Sequence, residues 1–312
     1  MIYQTKNPIL IVIFNRPEIA AETFKSIKNA KPKTIYVFAD GPRKNNKADE
    51  INCQKTRDLF DEKLDWECKI IKKYHDKNLG CQMAVSSALE WFFLNEEQGI
   101  IFDDDCVASI SFFKYCDDLL EMYKDNKNIL LISGNNYFNH ETTDSYFTSK
   151  NPCFYGWATW RRSWRNYDPN IKHWPKLKKE KWINKVFNDK ASRFYWSRIF
   201  EETFLRKKNT WDYQWWLLAL QTNSLTIRPK KNLVKHIGTG KDSTHVKSTQ
   251  FRDRFSAKNI DFPLIHPTNL SPFKLHDKFE NSKIWRIKYT YFKLQLTDLV
   301  IFIKKLIPIL RK

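Results

Sequence analysis

Residues Ile9-Leu10-Ile11-Val12-Ile13-Phe14 are six apolar side chains in a row, closed off at once by Asn15-Arg16-Pro17. Successive side chains of a strand point to opposite faces, so a run with no polar member must be covered on both sides, as in the middle of a parallel sheet. The following residues offer that cover. Glu18 to Asn29 turns Ala20, Phe24 and Ile27 to one helical face, Thr34 to Ala39 is a second apolar strand, and Lys47 to Lys63 reads as a charged helix. A third strand from Glu67 to Tyr74, a helix from Cys81 to Leu94 and a fourth strand over Gly99 to Phe102 repeat the alternation. Strand and helix alternating at this spacing predict right-handed crossovers and an α/β layer of the nucleotide-binding kind. In such sheets ligands gather at the carboxyl ends of the strands. Asn15, Asp40, His75 to Gly80 and Asp103 to Asp105 all fall there.

The fourth strand empties into Asp103-Asp104-Asp105-Cys106. Three adjacent carboxylates repel one another and are poor strand formers. At the end of a buried strand they suit a divalent cation shared with a substrate diphosphate. The plainer alternative is an acidic turn that caps the helix starting near Ser109, because acids favour helix N-termini.

Beyond Leu131-Ile132-Ser133-Gly134 the chain turns aromatic, with Cys153-Phe154-Tyr155-Gly156-Trp157-Ala158-Thr159-Trp160, a Lys-rich stretch from Lys172 to Lys190, and Trp211-Asp212-Tyr213-Gln214-Trp215-Trp216 opening a helix to about Thr222. Ser224 to Pro229 reads as a short strand, and Asn232 to His245 as a loop holding Gly238 and Gly240. A hydrophobic content of 42% excludes a disordered chain, and 312 residues leave room for a real core. Six scattered cysteines without a CxxC pair, behind a start lacking the basic-then-apolar order of a secretory leader, read as reduced cytosolic thiols.

A net charge of +19 calls for an anionic partner. Much of it is local: residues 283–312 alone carry a net +7, interleaved with Trp285, Tyr289, Tyr291, Phe292 and Leu296. The longest apolar run there, Leu299 to Ile303, is far short of the ~20 residues that span a bilayer. Basic, aromatic and amphipathic together describe a segment lying in a membrane interface, the alternative being a C-terminal helix packed on the domain with its bases in water. The simplest partition is a catalytic domain over 1–270 and a basic amphipathic helical tail over 271–312 that associates with an anionic membrane surface.

Seven elements then line up in order: Phe14-Asn15-Arg16-Pro17, Ala39-Asp40-Gly41, Asn78-Leu79-Gly80, Phe102-Asp103-Asp104-Asp105, Tyr155-Gly156-Trp157, Trp211-Asp212-Tyr213-Gln214-Trp215, and Asn232 to Gly238 with Thr244-His245. Over roughly residues 7 to 250 the chain resembles nucleotide-sugar-dependent glycosyltransferases of the GT-A fold. It is similar to the bacterial "hemolytic protein"-like and family 2-like transferases of surface-polysaccharide loci, and more distantly to N-acetylglucosaminyltransferase I. The resemblance implies a Rossmann-like mixed sheet flanked by helices. It implies Asp105 as the direct ligand of Mn²⁺ or Mg²⁺, and Asp103 or Asp104 on the ribose or sugar hydroxyls of a UDP-sugar donor. Asp40 takes the place of a carboxylate that accepts from uracil N3, although Asp-Gly-Pro is also a good turn without a ligand. Asn15 and Arg16 would add contacts to the base or diphosphate.

Asp212 is the candidate catalytic base of an inverting transfer, deprotonating the acceptor hydroxyl, with Trp211, Trp215 and Trp216 raising its pKa by desolvation. An Asp in a helix's first turn also stabilises the macrodipole without any chemistry. His245 or His236 would complete the metal shell. Trp157 would floor the acceptor site, or simply belong to the core.

The expected activity is metal-dependent transfer from a UDP-sugar to a lipid-linked or oligosaccharide acceptor in bacterial surface-polysaccharide synthesis. The expected place is cytoplasmic, peripheral on the inner face of the plasma membrane. Two rivals are a nucleic-acid binder and a membrane-active basic protein. The first lacks any nucleic-acid motif, and its acids would repel phosphate; the second leaves the α/β layer unexplained.

Overall fold

A computed structural model describes residues 3–238 and 255–297. Gly240, Thr244, His245 and the tail from Asp298 onward lie outside the described residues. The apolar run forms β1 (Ile9–Ile13), buried throughout, and Pro17 opens α1 (Pro17–Asn29), where a residue without an N–H costs the helix nothing. The alternation continues through β2 (Thr34–Ala39), α2 (Lys47–Asp58), β3 (Lys69–Tyr74), α3 (Cys81–Asn95) and β4 (Gln98–Asp103). A short β5 (Cys106–Ala108) follows the acids, then α4 (Ile110–Met122), β6 (Ile129–Ser133), β7 (Tyr146–Ser149) and β8 (Trp157–Trp160). Three short helices, α5 (Arg161–Trp164), α6 (Trp174–Lys179) and α7 (Ile183–Val186), lead to α8 (Lys190–Phe204) and α9 (Asp212–Thr222). β9 (Leu225–Pro229), β10 (Val234–His236) and α10 (Lys274–Lys283) follow, and the described residues end in a helical stretch over 287–297.

Eight strands form one sheet in the order β3-β2-β1-β4-β8-β6-β9-β7. The β3-β2-β1-β4 half is parallel, as the apolar runs of β1, β2 and β4 lead one to expect, with the Lys-rich β3 at its edge; β8 is antiparallel to both neighbours and β7 to β9, so the sheet is mixed. One face is covered by Phe24, Ile27, Phe112, Phe113 and Leu119 from α1 and α4, the other by Leu89, Phe92, Trp196, Trp215 and Trp216 from α3, α8 and α9. The expected Rossmann-like mixed sheet flanked by helices is present. Two details differ from the sequence reading. Trp157 to Trp160 form a mid-sheet strand that the sequence reading did not assign, and residues 234–236 pair with β5 instead of forming a loop. All six cysteines are free thiols, and among the described residues no helix is long and apolar enough to cross a membrane.

The first part of the C-terminal stretch is built into the domain. Arg228 of β9 is fully buried and donates to the Asn135 carbonyl at 2.8 Å, the Asn151 carbonyl at 3.2 Å and the Glu280 carboxylate of α10 at 2.6 Å. His276 lies beside the same carboxylate, its Nε2 3.5 Å away. A buried charge pair adds little net stability, but breaking one leaves an unpaired ion in low dielectric. Glu280→Ala is therefore expected to cost about 3–5 kcal/mol in urea unfolding, and the double change Arg228→Met with Glu280→Leu to recover most of it.

Candidate functional site

The carboxyl ends of β1, β2 and β4 open into a cleft of about 1270 Å³, closed on the far side by the α8–α9 connection and the start of α9. Asp103, Asp104 and Asp105 stand on its floor beside Asn15 and Arg16, and Asp212 and Asn209 stand on the opposite wall. Cys81, first residue of α3, lies between them. Burial first, then the charges of Asp103, Asp212, Asp40 and Asp105, pushes its thiol up to about 12, so these acids surround one point.

The three acids differ sharply in their partners. Asp104 is buried and paired with the Arg16 guanidinium, and its main-chain carbonyl accepts from Thr23 Oγ1 at 2.8 Å. Asp105 accepts from the same guanidinium at 2.9 Å and faces His236 Nε2 at 3.4 Å. Burial pushes the Asp104 carboxyl up to about 6 against the pull of Arg16, with the Asp105 charge adding to the rise. Burial pushes Asp105 the same way, but His236 and Arg16 outweigh it and hold that carboxyl below the usual range. Asp103 is half-buried at the end of β4; burial and the charges of Asp105 and Asp104 push it well above the usual range.

The acids do not cap α4. Strand β5 separates them from it, and Ser109 holds the N-cap position. What β5 does is bring β10 across, with His236 opposite Cys106 and the Ile237 N–H on the Asp105 carbonyl at 2.8 Å. Gly238 follows with its backbone against the Asp105 carboxylate, where any Cβ would overlap the carboxylate oxygen. Of the two candidate histidines, His236 reaches the acids; His245 lies outside the described residues.

Asp40 stands in its expected place, at the carboxyl end of β2 and lining the cleft, but its carboxylate is already engaged. One carboxylate oxygen accepts from the N–H groups of Gly41 and Leu79, each at 2.8 Å, and the other from Asn78 Nδ2 at 2.8 Å and the Gly80 N–H at 3.2 Å. A carboxylate has about four lone-pair sites, and all four are taken by its own turn and the 78–80 loop. These four donors fit the turn reading, and a base N–H would have to displace one of them. Gly41 makes the staple possible, since a Cβ there would sit 2.5 Å from the Lys77 backbone.

Asn15 donates through Nδ2 to buried Asp49 at 2.7 Å, and Arg43 clamps the same carboxylate through Nε at 2.5 Å and Nη2 at 2.8 Å. The sequence reading missed this pair, because Asp49 three residues after Asn46 looks like ordinary helix-start chemistry. The Gly41-Pro42-Arg43 turn, which aims Arg43 back at the strand ends, was the available signal. Trp157 is fully buried on β8 and takes no part in the cleft lining; it stacks on Trp211, ring centroids 5.7 Å apart, which does line it. It is a core residue behind the wall, because a mid-sheet strand turns that side chain into the second core layer. Asp212 sits in the first turn of α9, accepting from Thr210 Oγ1 and from the Tyr213 N–H at 3.0 Å.

No family model matches this sequence, and no curated protein matches it. Among solved structures, HddC from Yersinia pseudotuberculosis overlaps at 8% identity over 50% of this chain and 77% of that one, with a TM-score of 0.31. The galactosyltransferase LgtC in complex with donor and acceptor sugar analogs overlaps at 12% identity over 76% of this chain and 91% of that one, TM-score 0.35. Apo UDP-glucose pyrophosphorylase overlaps at 8% identity over 76% and 93%, also at 0.35. Overlaps this loose fix neither a family nor an activity.

Asp49 gives the cleft wall a pH signature. The Arg43 hydrogen bond, outweighing burial and helped by Asn15, pulls its carboxyl down to about 2. A depressed pKa stabilises the fold above the ordinary carboxylate range and loses that contribution as pH falls towards the folded value. Asp49→Asn is expected to lower stability by about 2 kcal/mol at neutral pH. Urea melts should show the gap to wild type closing between roughly pH 4 and pH 2.

Proposed function

We propose that this cleft binds a nucleoside-diphosphate sugar and transfers its sugar to an acceptor hydroxyl. The observation that supports this reading best is an acid-floored cleft at the carboxyl ends of parallel strands, with a second carboxylate, Asp212, on the facing wall. Its volume of about 1270 Å³ exceeds the ~300–1,000 Å³ of a single small-ligand pocket, which suits a donor and an acceptor together. The motif resemblance points the same way, and with it to a UDP-sugar, a lipid-linked or oligosaccharide acceptor in bacterial surface-polysaccharide synthesis, and a position at the inner face of the plasma membrane.

The acids suit a hard divalent ion such as Mn²⁺ or Mg²⁺. Asp103 makes no side-chain hydrogen bond or ion pair among the described residues, and carboxylate oxygens are the preferred donors for such an ion. Among the described residues no three His, Cys, Asp or Glu side chains already form a metal cluster, so donor phosphate oxygens would have to complete the shell. Asp103 and Asp105 would hold the ion, which when bound neutralises the departing diphosphate as a Lewis acid. His236 orients Asp105 from behind. Arg16 keeps Asp104 and Asp105 together. Asp212, set by Thr210 and the Tyr213 N–H, accepts the proton of the acceptor hydroxyl as that oxygen attacks the anomeric carbon and the sugar–phosphate bond breaks.

Calorimetry of UDP should show binding with Mn²⁺ that EDTA abolishes, and that Asp103→Asn or Asp105→Asn removes. If UDP, GDP and CDP all fail to bind with metal present, the transferase reading is wrong. Asp212→Asn should keep UDP affinity and lower turnover by roughly 10²- to 10⁴-fold, the range for a lost general base. Unchanged turnover would return Asp212 to a helix-stabilising role.

A further inference from the structure

After α10 the chain passes Trp285 and enters a helical stretch over residues 287–297. Its inner side is already satisfied. Ile287 is 2% exposed, Tyr291 meets Phe194 of α8 edge-on at 5.3 Å, and Leu294 is half-buried, so 287, 291 and 294 form the usual stripe of an amphipathic helix packed on its domain. The outer side of such a helix is ordinarily polar. Here it carries Tyr289, Phe292 and Leu296, which are 54%, 62% and 63% exposed. Steps of three and four residues set these on one line, and in the sequence the same spacing goes on through Leu299, Ile303 and Leu306. Bases flank the line: Arg286, whose guanidinium lies 4.2 Å over the Tyr289 ring, Lys288 and Lys293, with no acid between Ile284 and Thr297.

The charges choose the occupant. A second copy of the helix would bring Lys288 and Lys293 against their own kind, and like charges beside an apolar seam oppose pairing. A sheet of anionic headgroups complements them, each base near such a surface contributing about 1 kcal/mol, while large apolar side chains and a Tyr enter the headgroup–acyl boundary. The helix is also fixed relative to the cleft. Ile284 and Trp285 line the cleft, and Trp285 packs edge-on against Trp216 at 5.2 Å.

We propose that helix 287–297 lies on an anionic bilayer with Tyr289, Phe292 and Leu296 inserted, holding the adjacent cleft at the lipid surface. The docking face stands without any assumption about the reaction; only the corollary that an acceptor arrives along the membrane rests on the transferase reading.

The test is co-sedimentation of the full chain with vesicles of equimolar phosphatidylglycerol and phosphatidylcholine, and with pure phosphatidylcholine. The full chain should bind the anionic vesicles. Tyr289→Gln with Phe292→Gln and Leu296→Gln should weaken partitioning at least about tenfold, and Lys288→Gln with Lys293→Gln should weaken it roughly thirtyfold on anionic vesicles alone. Circular dichroism and the UDP titration of the triple variant check that fold and cleft are intact, so a chain that fails to bind UDP still gives a readable vesicle result. Wild-type partitioning by the triple variant, or equal binding to neutral vesicles, overturns the proposal. So does a solution dimer in light scattering that the triple variant dissolves, which would make the stripe a self-association face.

Discussion

Three carboxylates in a row at the end of a buried strand repel one another, and each loses part of its hydration as the sheet closes over it. One guanidinium answers this. Arg16, at the turn between β1 and α1, spans the strand gap to hold both Asp104 and Asp105. The contact is possible only because β1 and β4 are parallel neighbours in register, Val12 opposite Asp103, so the residues after both strands leave the sheet on the same edge. Cleft floor, strand order and counter-charge are thus a single arrangement. Moving β4 one strand away would leave the acids unpaired and the cleft without its floor.

The same economy explains β5 and β10. The chain after the acids could have run straight into α4. It makes three extended residues first, and these recruit β10, whose pairing lays His236 and Gly238 on Asp105. A two-stranded ribbon of three residues each has little stability alone, and it persists here because Leu233 and Val234 are fully buried beneath it. The cost of a tight approach at Gly238 is the absence of any side chain there.

The inner strands of the parallel half, β1, β2 and β4, were legible because they are buried and appear as apolar runs between helices, while β3 at the edge showed only Ile70-Ile71 among lysines. β8 was not legible. Trp157-Ala158-Thr159-Trp160 is four residues long, entirely buried, and carries no periodicity to separate strand from helix start. The positions of the Asp triplet and Asp212 around one cleft followed from strand ends and a helix start. Their division of labour did not, because it depends on which carboxylate Arg16 and His236 reach, and those contacts join residues about 90 and 130 positions apart. Asp40 shows the opposite limit: a residue in the expected place whose lone pairs are consumed by its own loop, a fact that only the backbone path of residues 78–80 reveals.

The distribution of charge carries the last step. The chain has 54 basic and 35 acidic residues, yet the cleft at its strand ends is floored with acids. A phosphate-bearing molecule is drawn towards such a protein at long range and repelled at the floor at short range. Opposed fields of this kind reject an anion unless it arrives with a cation or finds one, and Arg16 already spends its charge on Asp104 and Asp105. An anion whose charge is matched by a divalent ion meets both fields favourably. Other bases lie apart from that floor, and three of them, Arg286, Lys288 and Lys293, border an exposed apolar stripe, so the positive and negative fields belong to different parts of one molecule.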